Sequence, residues 1–269
     1  MKKTISAFSI VCIFIMQQSF AQVADTTVAK PVKTYASGRN IIKMNLSSLL
    51  LNNYSFTYER AIGKKTSLSV NYRFMPNGEL PYQSQIQSII KDNSIDFSTY
   101  KLGGYAITPE FRLYSHKNMR GFYLALYGRY SNFDMTVPIK YTYTTPTGSN
   151  SRSAVFTGSV SAMSGGIMIG TQHNIFKNCV IDIWIIGAHF GNCQSKDLKA
   201  TFTPPLSGTP PAPGYDSEQT ALQKKLNSID ASPFKVTGKV DNSGQFASLD
   251  ASGPWLGVRG LGINFGIRF

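Results

Sequence analysis

Strict alternation between apolar and polar residues is the feature that most constrains the fold of this chain. Side chains of a β-strand point alternately to its two faces, so a period of two indicates strands with one apolar face. The alternation runs through residues 54–60, 67–74, 105–114 and 122–130. It is clearest at the end of the sequence, where the apolar positions are Leu261, Ile263, Phe265, Ile267 and Phe269. The sequence therefore predicts an all-β fold.

Three features favour a transmembrane β-barrel over a soluble sandwich or a lipocalin-like barrel. Charged residues lie on the strand faces opposite the aromatic residues, and they are Glu59, Arg73, Glu110, Arg112 and Arg129. The apolar alternation over residues 261–269 resembles the C-terminal signal that the outer-membrane barrel assembly machinery recognises. Connections between the strands alternate between short and long, which is typical of bacterial outer-membrane barrels.

We expect an eight-stranded antiparallel transmembrane β-barrel over residues 41–269, with long extracellular loops. The predicted strands are 41–51, 53–62, 65–74, 99–115, 120–143, 153–173, 178–190 and 254–269. If the C-terminus lies in the periplasm, the short turns 63–64, 116–119 and 174–177 also lie there. The connections 75–98, 144–152 and 191–253 then lie outside, together with one tight turn around Asn52-Asn53.

The first 21 residues have the pattern of a secretory signal peptide. Met1-Lys2-Lys3 is basic, residues 5–16 are apolar, and Ala21 marks the expected cleavage site. An uncleaved anchor fits less well, because a spanning helix needs about 20 apolar residues. Residues 22–40 are polar and basic, which predicts a flexible periplasmic arm. The expected location is the outer membrane of a Gram-negative cell.

The chain has few charged residues, and most of those are basic. Lys and Arg number 27 against 14 Asp and Glu, and charged residues make up 15% of the chain, where about 25% is usual. A lipid-facing side on nearly every strand explains the low charge. The basic excess lies partly on the arm and beside the short turns, where it would meet phospholipid headgroups. We therefore expect outer-membrane lipids as partners, and no nucleic acid.

The 191–253 connection is the longest one predicted. Five prolines between residues 204 and 213 indicate an irregular stretch, and residues 217–227 predict a short amphipathic helix with Glu218 near its start. Connections longer than about 15 residues are usually functional or disordered. The sequence therefore predicts that this loop contacts a surface ligand, such as a protein, a glycan or lipopolysaccharide. Residues 82–91 of the 75–98 connection could add one or two helical turns.

Five motifs together resemble an uncharacterised Bacteroidota outer-membrane β-barrel family, catalogued as a domain of unknown function. They are YERAIGKK at 58–65, ITPEFRLY at 107–114, RGFYL at 120–124, DIWIIGAHFG at 182–191 and GLGINFGIRF at 260–269. The resemblance spans residues 41–269 and implies an outer-membrane barrel. It implies no known activity and supplies no catalytic residues.

The predicted interior contains three acids and three bases. An eight-stranded barrel is just wide enough for side chains to fill it, and an unpaired buried charge costs several kcal/mol. We therefore expect Glu59, Glu110 and Asp182 to pair with inward arginines, which are Arg73, Arg112 and Arg129. The favoured hypothesis is a salt-bridge plug in a structural or binding protein. The first alternative is a small passive, porin-like channel lined by the same residues.

The second alternative is an outer-membrane lipid-modifying enzyme, which would need a nucleophile near a rim histidine. His189 lies near an outer strand end, but its phase relative to Asp182 places it on the lipid face unless a bulge intervenes. Arg259 is expected at the outer rim, on lipid phosphate or in solvent. No catalytic residue and no cofactor is predicted.

The cysteines and histidines predict no metal site. His116, His173 and His189 lie in separate segments. Cys179 and Cys193 flank one predicted strand, which would hold them about 45 Å apart, so both are expected to be free thiols.

Overall fold

The computed structural model describes residues 38–79, 101–195 and 198–269. The predicted signal peptide, residues 22–37 of the predicted arm and the predicted helical turns at 82–91 lie outside these ranges.

The described chain is all-β and forms one large antiparallel sheet of eleven strands. A short 3-10 helix, Ser47–Leu51, follows the first strand. The strands are β1 Asn40–Asn45, β2 Tyr54–Ala61, β3 Thr66–Glu79, β4 Lys101–His116, β5 Arg120–Thr145, β6 Gly148–Asn174, β7 Cys179–Ser195, β8 Leu198–Thr201, β9 Lys235–Val240, β10 Phe246–Arg259 and β11 Gly262–Arg268. One helix, α1, spans Glu218–Asn227.

Eight of the strands pair in a closed cycle. The hydrogen-bonded order is β5-β4-β3-β2-β1-β11-β7-β6, and β6 pairs back onto β5 along both strands. We call these eight strands the ring. The short connections 62–65, 117–119 and 175–178 lie at one end, which we call the short-turn end. The 3-10 helix and the β5–β6 turn lie toward the opposite end.

The prediction of eight strands is wrong, because the predicted strand 254–269 is two strands, and the predicted 191–253 loop contains β8, β9 and the start of β10. The end of β10 and the whole of β11 both pair with β7. Between them, Gly260 and Leu261 face Ile185 and Ile186, where the β6–β7 pairing shifts register. This paired irregularity interrupts what would otherwise be one long strand.

The prediction of a loop at residues 144–152 is also wrong. β5 has 26 residues, β6 has 27, and only Pro146 and Thr147 separate them. β4 pairs with β5 only as far as Thr136, and β7 pairs with β6 only from Val160 onward, so residues 137–159 project beyond the ring. Residues 136–145 of β5 are rich in Thr, Tyr, Val and Ile, which favour strands.

The predicted 191–253 loop folds onto the projecting hairpin. We call β8, α1, β9 and the first half of β10, with the hairpin they cover, the extension. Its buried core contains Tyr141, Phe156, Leu198, Leu222, Leu226 and Leu249, among others. The predicted helix at 217–227 is confirmed: α1 begins after Ser217, whose side chain accepts a hydrogen bond from the Thr220 backbone N–H.

The outward face of the ring is apolar and exposed. Outward positions of residues 54–58, 68–74, 107–113 and 122–130 hold only Tyr, Phe, Leu, Val, Ile, Pro and Gly, and each is exposed. On β11 the outward residues are Ile263, Phe265 and Ile267, and Leu261 and Phe269 beside it are exposed as well. Among the described residues, no helix has the length and apolar character to cross a membrane.

Candidate functional site

The inner face of the ring carries the charged residues. Alternation along β2, β4 and β7 turns Glu59, Glu110, Arg112 and Asp182 inward, where each is at most 2% exposed. Arg129 on β5 is buried and lines the interior, while Arg73 on β3 is half-buried.

Arg112 connects all three acids. Its Nη2 lies 2.6 Å from Glu110 Oε2, and its Nη1 lies 2.8 Å from Asp182 Oδ2 and 3.5 Å from Glu59 Oε2. β4 and β7 are separated by two strands in the ring. The Arg112–Asp182 contact therefore crosses the interior rather than joining neighbours.

Lys43 on β1 is the second base of the cluster. Its Nζ lies 2.5 Å from Glu59 Oε2 and 2.6 Å from Asp182 Oδ2, and it donates to Gln172 Oε1 at 2.6 Å. Lys43 is 1% exposed. Lys43 lies between Ile42 and Met44 of the outer face, and its inner-face neighbours are Ile41 and Asn45. This period of two is the sequence signal that could have identified it.

Arg259 on β10 is the third base. Its Nη1 lies 2.7 Å from Glu110 Oε1, and its side chain is buried. The expectation that Arg259 contacts lipid phosphate or solvent at the outer rim is wrong. We call Glu59, Glu110, Asp182, Lys43, Arg112 and Arg259 the ion-pair cluster, in which three acids meet three bases.

Hydroxyl groups donate further hydrogen bonds to the three carboxylates of the ion-pair cluster. Tyr114 donates to Glu59 Oε1 at 2.6 Å, and Tyr123 donates to Asp182 Oδ1 at 2.8 Å. Ser67 donates to Glu59 Oε1 at 2.5 Å, and Ser69 donates to Glu110 Oε2 at 3.2 Å. Buried charges are tolerated where their remaining hydrogen-bonding positions are filled in this way.

Two predicted partners stand apart from the cluster. Arg73 lies four residues along β3 from Ser69, the residue that pairs with both Glu59 and Glu110. Four residues correspond to about 13 Å of strand, too far for contact. Arg129 donates to Ser131 Oγ at 3.1 Å. Neither arginine forms an ion pair with any residue that the structure describes.

The register shift in β7 reverses the predicted orientation of His189. Ile185 and Ile186 are both exposed, so the residues after them change face, and His189 is 7% exposed inside the ring. Its Nδ1 lies 3.1 Å from the Tyr127 hydroxyl. Opposite this shift, Gly260 and Leu261 are also both exposed, which turns Arg259 inward. The register shift in β7 and the matching break between β10 and β11 thus turn His189 and Arg259 into the interior.

The extension holds a separate buried carboxylate. Glu218 Oε1 accepts from Arg152 Nη1 at 2.8 Å and from the Tyr141 hydroxyl at 3.0 Å, while Oε2 accepts from the Ser207 N–H at 3.3 Å. Burial, and then the neighbouring Glu218 carboxylate, raise the pKa of Tyr141 above its usual value. The hydrogen bond to Glu218 is the main reason that the pKa of Arg152 is raised.

No group of three or more His, Cys, Asp or Glu suited to a metal ion occurs in the described ranges. Cys179 and Cys193, at the two ends of β7, are free thiols.

Comparisons with known proteins give a match to a family of unknown function. No curated protein and no solved structure matches the chain. A family model described as "Protein of unknown function (DUF3575)" matches residues 23–197, which include five of the six cluster residues but not Arg259. The predicted resemblance to a family of unknown function is confirmed in this coarser form; the bacterial group and the outer-membrane location stay predictions. The chain belongs to this family of unknown function, DUF3575.

Proposed function

We propose that this protein is an exported outer-membrane β-barrel, closed by its ion-pair cluster, with a structural or binding role at the cell surface and no assigned reaction. The observation that carries the proposal is the reversed polarity of the two faces of the ring. The outward face is apolar, while the inner face is charged. A soluble protein rarely exposes a continuous apolar surface of this kind, and such surfaces mark contact with membranes or partners.

The dimensions of the ring support a membrane location. The outward apolar stretch Phe122–Tyr130 on β5 has nine residues, and membrane-spanning strands need about 9–11. A closed cycle leaves no unpaired strand edge in lipid, where each unsatisfied backbone group costs several kcal/mol. The eight-stranded barrel is thus the ring alone, and β8, β9 and the first half of β10 belong to the extension.

The direction of insertion follows from the ring's two ends. Bacterial outer-membrane barrels have short periplasmic turns and longer extracellular loops. The short-turn end therefore faces the periplasm, and the extension projects from the cell. Its buried core makes it a rigid platform, which favours a binding role for it over that of a flexible loop.

Cell fractionation and gel mobility test this proposal. We expect the chain in the outer-membrane fraction, cleaved after Ala21, and migrating faster when unboiled than when boiled, because a folded barrel resists detergent. A soluble periplasmic chain, or one whose mobility does not change on boiling, would contradict the proposal.

A further inference from the structure

The interior of the ring holds a cavity beside the ion-pair cluster, toward the end away from the short turns. Its volume is about 570 Å³, and its walls include Arg73, Arg129, Arg259, His189, Trp184 and Trp255. No Asp or Glu is among the described residues that line it. We call this space the arginine cavity.

The positive charge beside the arginine cavity is not balanced by an acid among the described residues that line it. Within the ion-pair cluster, Glu59, Glu110 and Asp182 balance Lys43, Arg112 and Arg259. Arg73 and Arg129 therefore leave two positive charges on the cavity wall. Like charges in a low-dielectric interior destabilise the fold unless an opposite charge joins them.

Two residues that line the cavity carry buried N–H donors with no acceptor among the described residues. The donors are Arg259 Nη2 and Trp184 Nε1, and the two residues are 7% and 8% exposed. Buried donors in native proteins almost always have a partner. The guanidinium of Arg259 is also held in place, since its Cζ lies 4.2 Å from the Trp184 ring centroid and its Nη1 is bound to Glu110. These donors are therefore fixed in position beside the cavity, and no described residue accepts a hydrogen bond from them.

We propose that the arginine cavity binds a small anion that carries a phosphate monoester. Guanidinium groups bind phosphate oxygens in pairs, which makes arginine the preferred residue for this anion. The volume lies in the range of small-molecule sites, about 300–1,000 Å³, and leaves room for more than the phosphate. Trp255 and Phe133, with ring centroids 5.4 Å apart, form an apolar wall for the remainder. The phosphate comes from a soluble ester or from a lipid headgroup.

Intrinsic fluorescence gives a direct readout, because both tryptophans of the chain line this cavity. The mature chain, folded in detergent micelles, is titrated with glycerol 3-phosphate. A second titration uses nanodiscs of phosphatidylcholine with increasing phosphatidic acid. We expect a saturable change in tryptophan emission in at least one arm. The micelle arm identifies a soluble ester as the source, and a response in nanodiscs alone identifies a lipid headgroup.

The variants Arg73→Gln and Arg129→Gln test the site without breaking the ion-pair cluster. Each should weaken binding about ten- to hundredfold, the effect of losing a charge-assisted hydrogen bond. Neither should unfold earlier than the wild type in urea, because each removes a repelled charge. Arg60→Gln is the matched control, since Arg60 is exposed on the ring's outer side, and it should bind as the wild type does.

No saturable response in either arm would overturn the proposal, and so would wild-type affinity in Arg129→Gln. Phosphate binding requires the closed ring but not the membrane location. Gel mobility of the same samples shows whether the ring is closed, so it separates a failure of phosphate binding from a failure of the proposed function.

Discussion

Arg112 Nη1 on β4 lies 2.8 Å from Asp182 Oδ2 on β7, and Lys43 Nζ on β1 reaches the same oxygen at 2.6 Å. Three strands from different sides of the ring thus meet at one carboxylate that is fully buried. Asp182 is therefore the central link of the ion-pair cluster.

Asp182→Asn should destabilise the folded chain strongly. The change leaves Lys43 and Arg112 with less opposing charge in a buried site, which typically costs about 3–5 kcal/mol. Urea unfolding in detergent micelles, followed by circular dichroism, measures the loss. Asp216→Asn is the control, because Asp216 pairs with Lys224 on the exposed surface and should change the free energy of unfolding by less than about 1 kcal/mol. Equal effects of the two variants would show that the cluster is not a structural link.

The wild-type chain should give no single-channel conductance in a planar bilayer. The ion-pair cluster joins β1, β2, β4, β7 and β10 by contacts of 2.5–3.5 Å, and its acids are fully or almost fully buried. Such contacts leave no continuous water path at that level. Regular conductance steps would instead favour the passive channel.

Replacing residues 203–244 with a two-residue Asn-Gly turn should preserve the ring. The Phe202 N–H donates to the Gln245 carbonyl at 2.9 Å, and Thr201 pairs with Phe246, so the shortened chain can turn directly from β8 into β10. Heat-dependent gel mobility should persist, while binding of the variant cells to any surface ligand of the wild type is lost. Loss of the heat-dependent mobility would show that the ring needs the extension in order to fold.

Tyr141 should make the extension sensitive to alkali. Its pKa is raised above the ordinary value of 10.0 by burial and by Glu218, so the folded state keeps its proton when the unfolded state loses it. This contribution to stability is complete below pH 10 and falls as the pH rises further. Limited proteolysis of the extension at increasing pH measures the loss. Tyr141→Phe should reduce this dependence, and an unchanged pH profile in that variant would contradict the assignment.

The period of two predicted the all-β class and located most ring strands, because each has one apolar and one polar face. The extension was missed for a different reason. Residues 132–139 of β5 do alternate between polar and apolar types and lie within the predicted strand 120–143, yet they are half-buried on both faces. Tertiary contacts hold the covering elements of the extension against these residues, and no local sequence pattern encodes such contacts.

The partners within the ion-pair cluster also depend on tertiary structure. Alternation can indicate that Lys43 and Arg112 face inward, but strand register decides which acid each one meets. His189 was predicted to face lipid, unless a bulge intervened, because alternation was extended through Ile185, and Arg259 was expected at the outer rim. A register shift changes the face of every residue after it, and nothing in the local sequence around Ile185 marks the shift.

Site-directed spin labelling in lipid vesicles tests the central claim most directly. Cys179 and Cys193 are first replaced by Ser, and a nitroxide is attached to Leu126→Cys on the outward face or to Lys140→Cys on the projecting hairpin, both exposed. If the ring spans the membrane, the label at 126 collides mainly with oxygen, and the label at 140 collides mainly with a water-soluble nickel chelate. Equal access of the chelate to both labels would contradict a membrane-spanning ring.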